Sequence, residues 1–215
     1  MVVTLPFRPL GRMLGLLFAA GALLPAQDLF PRHYFTVGGG AGFPRGQINE
    51  YFSNRAGVTA NYAYRFHRYF QADLGYDLIF GAAQINETVE TQLGIQRIRD
   101  RQHFVPFGGR GIMPLARGKV LISGGGGGAY MRYQESITQP SNYYRLACPV
   151  CIGRGGWGGY ALASAKFSNR FQRYWFGVTS KVIRGSSQGQ PFAGLPTAKT
   201  KDHWINTFVE VGFGF

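Results

Sequence analysis

The sequence predicts an all-β chain closed into an eight-stranded, antiparallel, up-and-down transmembrane β-barrel, and three observations carry that prediction. Segments of about ten residues alternate apolar and polar side chains with period two, the signature of strands with two different faces. The connections between these segments alternate between short and long, as they do in a barrel threaded through a membrane. Finally, the 215-residue chain has a mean hydropathy of -0.09 and no long apolar run after Leu24, so a bundle of membrane helices, each needing about 20 apolar residues, is excluded. The 32 glycines come with 18 Phe and 12 Tyr, which excludes a disordered linker. They show no three-residue period, which excludes collagen.

Taken in order, residues 1–26 read as an export signal. Arg8 and Arg12 form a basic start without acids, Met13 to Leu24 is apolar, and small residues lead to a cleavage position near Ala26–Gln27, the three-part layout of a secretory signal. An uncleaved anchor is the other reading, but the apolar run is nearer 12 residues than a bilayer requires. Removing Arg8 and Arg12 lowers the formal charge from +13 to +11. The mature domain is then 27–215, with strands expected near 34–43, 56–66, 69–82, 103–114, 119–133, 157–168, 171–184 and 203–215. Connections at Phe66–Arg68, Leu115–Gly118 and Ser168–Arg170 are short, whereas 44–55, 83–102, 134–156 and 185–202 are expected to be long loops rich in Gln, Asn, Ser, Pro and Gly. Structureless loops of that length are uncommon in compact soluble domains. An even strand count puts both termini at the short-turn side, and a closed ring leaves no unpaired edge in lipid.

The alternation is clearest in two segments. From Ile205, one face carries Ile205, Thr207, Val209, Val211, Phe213 and Phe215, and the other Asn206, Phe208, Glu210, Gly212 and Gly214. From Phe70 to Phe80, the apolar face opposes Gln71, Asp73, Gly75, Asp77 and Ile79. The ending Val209-Glu210-Val211-Gly212-Phe213-Gly214-Phe215 resembles the last strand of the small eight-stranded outer-membrane β-barrel family, the outer membrane protein A-like and W-like barrels. That resemblance implies that Val209, Val211, Phe213 and Phe215 are read by a barrel-assembly machinery. It covers the mature chain by pattern more than by identity, and such barrels serve many unrelated duties.

Within that frame the polar face predicts a lumen network of Asn61, Arg65, Asp73, Asp77, Arg110, Lys166, Lys181 and Glu210. Eight strands leave an interior that side chains just fill, so a structural plug is expected, with a constricted path for small solutes as the functional alternative. Runs such as Gly38–Gly40 and Gly124–Gly128 suit a tapering interior; a phosphate-cradling loop would need a following Lys-Ser/Thr pair and a helix, and neither is present. Basic residues gather at the short turns as Arg65, Arg68, Arg117, Lys119, Lys166, Arg170 and Arg173, with no acid in 65–69, 115–119 or 166–173. They predict a positive rim against anionic headgroups. The expected partners are therefore outer-membrane lipids, the assembly machinery and an unidentified ligand of the outer loops, with a monomeric chain and no nucleic acid. Tyr62, Tyr64, Phe66, Phe167, Phe171, Tyr174, Phe176 and Trp204 are expected in aromatic girdles at the membrane surfaces.

The sequence points to no catalytic residue, metal or cofactor. Cys148-Pro149-Val150-Cys151 reads as a local disulfide in the longest loop, with redox and metal roles as alternatives. Zinc would need further ligands, and the histidines at 33, 67, 103 and 203 are scattered. Neither His67 nor His203 comes with an adjacent serine together with a carboxylate at the spacing a lipid-hydrolysing site needs. Asp73 and Asp77 lie about 13 Å apart along one strand, too far for a paired acid and base.

Overall fold

The computed structural model describes residues 30–50, 52–81, 88–91, 94–138, 145–146, 153–169, 171–189 and 199–215. The expected export signal, Arg170 and the Cys148–Cys151 motif lie outside the described residues.

The strands are β1 (His33–Arg45), β2 (Arg55–His67), β3 (Phe70–Phe80), β4 (Thr88–Thr91), β5 (Gly94–Leu115), β6 (Val120–Thr138), β7 (Arg145–Leu146), β8 (Gly153–Ser168), β9 (Tyr174–Gly189) and β10 (Lys199–Gly214). Eight of them close a ring in the order β1, β2, β3, β5, β6, β8, β9, β10 and back to β1, each pairing antiparallel. The short strands β4 and β7 extend β5 and β6 at the long-loop end. The seam is made by the two ends of the chain: Tyr34 faces Gly214 and the register runs on to Arg45 opposite His203. Phe215 continues it, accepting from the His33 amide at 3.1 Å and donating back at 2.9 Å.

Three tight turns join β2 to β3, β5 to β6 and β8 to β9. Ala116, Arg117 and Gly118 reverse the chain with φ of 48, 57 and 84°, a left-handed path in which only Gly118 is free of Cβ strain. In the β8–β9 turn the Asn169 carboxamide oxygen accepts from the Arg173 and Tyr174 amides at 2.8 and 3.3 Å, which ties the start of the turn to its end.

The long connections are shorter than the sequence reading expects. Much of 83–102, 134–156 and 185–202 is strand, since β5 begins at Gly94, β6 runs to Thr138, β8 begins at Gly153, β9 runs to Gly189 and β10 begins at Lys199. In these extensions both faces carry polar side chains, Asp100 and Gln102 inward and Arg99 and Arg101 outward on β5, so the apolar alternation fades. The backbone pairing persists because the ring supplies partners: Ile98 through Gln102 pair with Ile137 through Tyr133. Within 44–55, Gly46–Glu50 forms a 3-10 turn that buries Ile48 against the barrel interior.

Burial alternates strictly where the sequence alternates. On β3, Gln71, Asp73, Gly75, Asp77 and Ile79 point inward while Leu74 and Tyr76 point out. On the outer wall Val37, Val58, Leu74, Val209, Val211 and Phe213 remain exposed. Large contiguous apolar surfaces are rare on soluble monomers, and a belt around a closed sheet meets lipid without leaving backbone groups unpaired.

Two glycines show what the narrow ring demands. A Cβ on Gly40 would strike the Thr207 carbonyl oxygen and lie 2.7 Å from the Phe208 Cα. At Gly128, on the outer side of the five-glycine run, the missing side chain is replaced by the Phe107 ring, whose Cε1 lies 3.0 Å from where a Cβ would be.

Candidate functional site

The interior is built in layers. Nearest the short turns, β2 points Arg65 inward, where its Nη1 donates to Tyr34 Oη at 3.0 Å and to Gln172 Oε1 at 2.7 Å. Arg110 of β5 is paired with Asp73 of β3, Nε to Oδ2 at 2.7 Å, and Asp73 also accepts from Gln71 Nε2 at 2.6 Å. Lys166 of β8 lies 3.5 Å from Glu210 Oε2 and sits over the Trp175 ring, 3.7 Å from its centroid. Four cations therefore face three carboxylates once Lys181 and Asp77 are included.

The middle layer crosses the lumen. Lys181 of β9 donates to Asp77 Oδ1 of β3 at 2.7 Å and to Asn61 Oδ1 at 3.1 Å. The strands β3 and β9 stand four places apart in a ring of eight, so this ion pair is a strut across the diameter. Thr59 donates to the same Asp77 oxygen at 2.6 Å, while Glu210 accepts from Thr179 at 2.7 Å and from Asn61 Nδ2 at 3.4 Å. Both partners of the strut are buried, with side-chain exposures of 1 and 0 %. Such charges are tolerated only when paired and hydrogen-bonded, because desolvation costs several kcal/mol per ion.

Toward the long-loop end the lumen turns apolar. Trp204, Phe104, Phe208, Ile183, Ile79 and Met131 are fully buried. Phe104 meets Trp204 edge-on at 5.5 Å between centroids, and Trp204 Nε1 donates to Tyr133 Oη at 3.1 Å. Phe52 covers both rings at 5.5 and 5.7 Å, and Ile48 joins the same cluster. The segment after β1 is thus folded across the mouth as a cover. Trp204 is a correction to the girdle expected from sequence: it is an inward residue of β10, in phase with Asn206, Phe208 and Glu210, and the alternation itself carried that signal. The other girdle residues lie outside, Tyr62, Tyr64, Phe66, Phe167, Phe171, Tyr174 and Phe176 all being exposed.

Below this plug lies a cavity of about 30 Å³ lined by residues including Tyr34, Arg65, Arg110, Lys166 and Trp175. One water needs roughly 10–15 Å³ on the same measure, so the space takes water and not an organic ligand. Among the described residues no three His, Cys, Asp or Glu side chains gather as a metal site.

The basic rim needs two corrections. Arg65 and Lys166 do not belong to it, because inward alternation and the partners Gln172 and Glu210 hold both inside the lumen. Arg68, Arg117, Lys119 and Arg173 are exposed at the short-turn end, with the Arg68 guanidinium 4.5 Å over the Tyr69 ring. A second basic group, absent from the sequence reading, stands at the opposite end of the outer wall: Arg45, Arg184 and Lys201 are exposed and His203 is partly so. These residues fell in or beside segments read as loops, and only the continued strand pairing reveals their outward phase. At the seam, Phe213 lies 5.9 Å from Phe35, and Phe215 stacks on His33 at 5.5 Å. Val209 and Val211 are exposed on the same outer face.

No protein-family model matches the sequence, and no curated protein does. Solved structures do. The outer membrane protein OprG from Pseudomonas aeruginosa superimposes with a TM-score of 0.50 at 10 % identity, over 86 % of this chain and 97 % of that one. Neisserial surface protein A superimposes with a TM-score of 0.51 at 7 % identity, over 85 and 97 % of the respective chains. The fold is that of the small eight-stranded outer-membrane β-barrels, the group that the C-terminal strand resembles.

Proposed function

We propose that this protein is a plugged barrel of the outer membrane that acts as a structural and interaction protein, anchored by its apolar wall and presenting its long-loop end to the outside. The observation that carries the reading is the filled lumen: a diametric Lys181–Asp77 strut under an aromatic plug of Trp204, Phe104 and Phe208, covered by Ile48 and Phe52. Its short-turn end faces the periplasm, where Arg68, Arg117, Lys119 and Arg173 hold anionic headgroups of the inner leaflet at on the order of 1 kcal/mol per charge. The barrel-assembly machinery reads Val209, Val211, Phe213 and Phe215, and an outer ligand binds the loops of a monomeric chain.

A narrow conduit for small solutes is the second reading, favoured by the charged cavity near the short turns. Planar-bilayer recording separates the two. The plugged reading expects a silent membrane from purified protein whose folded band migrates differently before and after boiling. Discrete, reproducible openings would overturn it. Recovery in the soluble periplasmic fraction without detergent would overturn the membrane reading altogether.

A further inference from the structure

We infer that the outward face of β1, β10 and β9 at the long-loop end is a docking site for a phosphate-bearing, acylated lipid of the outer leaflet; the inference rests on the outer-membrane reading. Three residues stand in one row across these strands, Arg45 opposite His203 and His203 opposite Arg184. Neighbouring strands are about 4.8 Å apart, so the two arginines flank the imidazole across roughly 10 Å. Lys201 lies two residues further along β10 on the same face, about 7 Å away. The imidazole lies in the field of both guanidiniums.

The patch presents no outward-facing acid: Arg45, Arg184 and Lys201 carry its charge, and the His203 imidazole sits between the two arginines. Asp202, the acid between Lys201 and His203, points inward and is 2 % exposed. The lumen ion pairs of Arg110, Lys166 and Lys181 involve none of Arg45, Arg184, Lys201 and His203. Arg45, Arg184, Lys201 and His203 line an open depression of about 310 Å³ together with Gly46, Gly185 and Asp202, the last of which is buried. A second depression shares Gly185 and Lys201 and ends on Trp157, 64 % exposed.

What distinguishes this patch from an ordinary solvated charge cluster is the wall beneath it. On the same outer face, two residues closer to the middle of the barrel, Phe43, Ile205 and Val182 are in register; past the hydrogen-bonded hydroxyls of Ser180 and Thr207, the exposed Val209, Val211, Val178 and Phe176 resume the apolar face. A ligand complementary to both zones is an amphiphile, with phosphates between the cations and acyl chains on the wall. Since the wall faces the bilayer laterally, the occupant arrives from the membrane.

The test uses the purified full chain in phosphatidylcholine micelles doped with a bis-phosphorylated acylated glycolipid or with the same glycolipid freed of phosphate, with binding read by native mass spectrometry. Wild type should retain the phosphorylated form and the R45Q/R184Q/K201Q variant should bind it about tenfold or more weakly. The R99Q/R101Q/R132Q variant removes the same charge from the far side of the ring and should bind like wild type. Equal loss in the two variants, equal retention of the phosphate-free lipid, or displacement by millimolar inorganic phosphate would overturn the assignment. Each sample is first checked for heat-modifiable migration. A wild-type chain lacking it overturns the barrel reading, whereas a folded triple variant that binds normally overturns only the lipid site.

Discussion

Breaking the strut across the lumen should cost far more than removing it whole. At the 2.7 Å separation of Lys181 Nζ and Asp77 Oδ1, the attraction is about 6 kcal/mol at an effective dielectric of 20. Desolvating two ions in a dry interior costs several kcal/mol each, so the pair nets little over apolar side chains of similar volume. Removing one partner strands the other. Lys181→Met leaves Asp77 with only the Thr59 hydroxyl, and Asp77→Leu leaves the ammonium with Asn61 and Thr59. Each single variant is expected to lose about 3–5 kcal/mol, and the Asp77→Leu/Lys181→Met double variant to lie within about 2 kcal/mol of wild type. Urea unfolding in phospholipid vesicles, followed by Trp fluorescence, measures all four proteins, since Trp175 and Trp204 are buried. A double variant as unstable as the sum of the singles, with no coupling between the sites, would refute the argument that pairing alone keeps these charges inside.

Two further predictions concern the wall and the seam. Gly40→Val should abolish the heat-modifiable folded band, because its Cβ meets the Thr207 carbonyl oxygen. Gly39→Val, with nothing within 4 Å of its Cβ, should fold normally; equal folding of both would show that the close approach at Gly40 is not needed. Deleting Phe215 removes its pair of backbone hydrogen bonds with His33 and the ring stacked on that imidazole, so the amount of folded protein in the outer membrane should fall severalfold. Unchanged membrane levels would count against a terminal assembly signal.

Legibility from the sequence followed the physics of the belt. Between Phe70 and Phe80, and from Ile205 to Phe215, one face must be apolar and the other must fit a crowded interior. The period of two therefore identified Asp73, Asp77 and Glu210 as inward residues. Past the belt that requirement lapses, so the strand extensions of β5, β6, β8, β9 and β10 were invisible. An aromatic near a strand end has two uses, at an interface or in a plug, and for Trp204 only its phase with Asn206, Phe208 and Glu210 separates them. Arg65 and Lys166 read as both lumen and rim residues, because inward phase and closeness to a turn point to different places; the partners Gln172 and Glu210 leave only the lumen assignment.

Fold class, strand phase and the C-terminal pattern follow from the order of residues alone, because they depend on local alternation and turn chemistry. Which charges meet is a property of the closed ring. Lys181 and Asp77 are 104 residues apart and become a strut solely because ring closure sets β9 opposite β3. The same closure brings Ile48 and Phe52 over the lumen mouth and sets Arg45, His203 and Arg184 side by side. Partners chosen by register around a closed sheet cannot be read from any one strand.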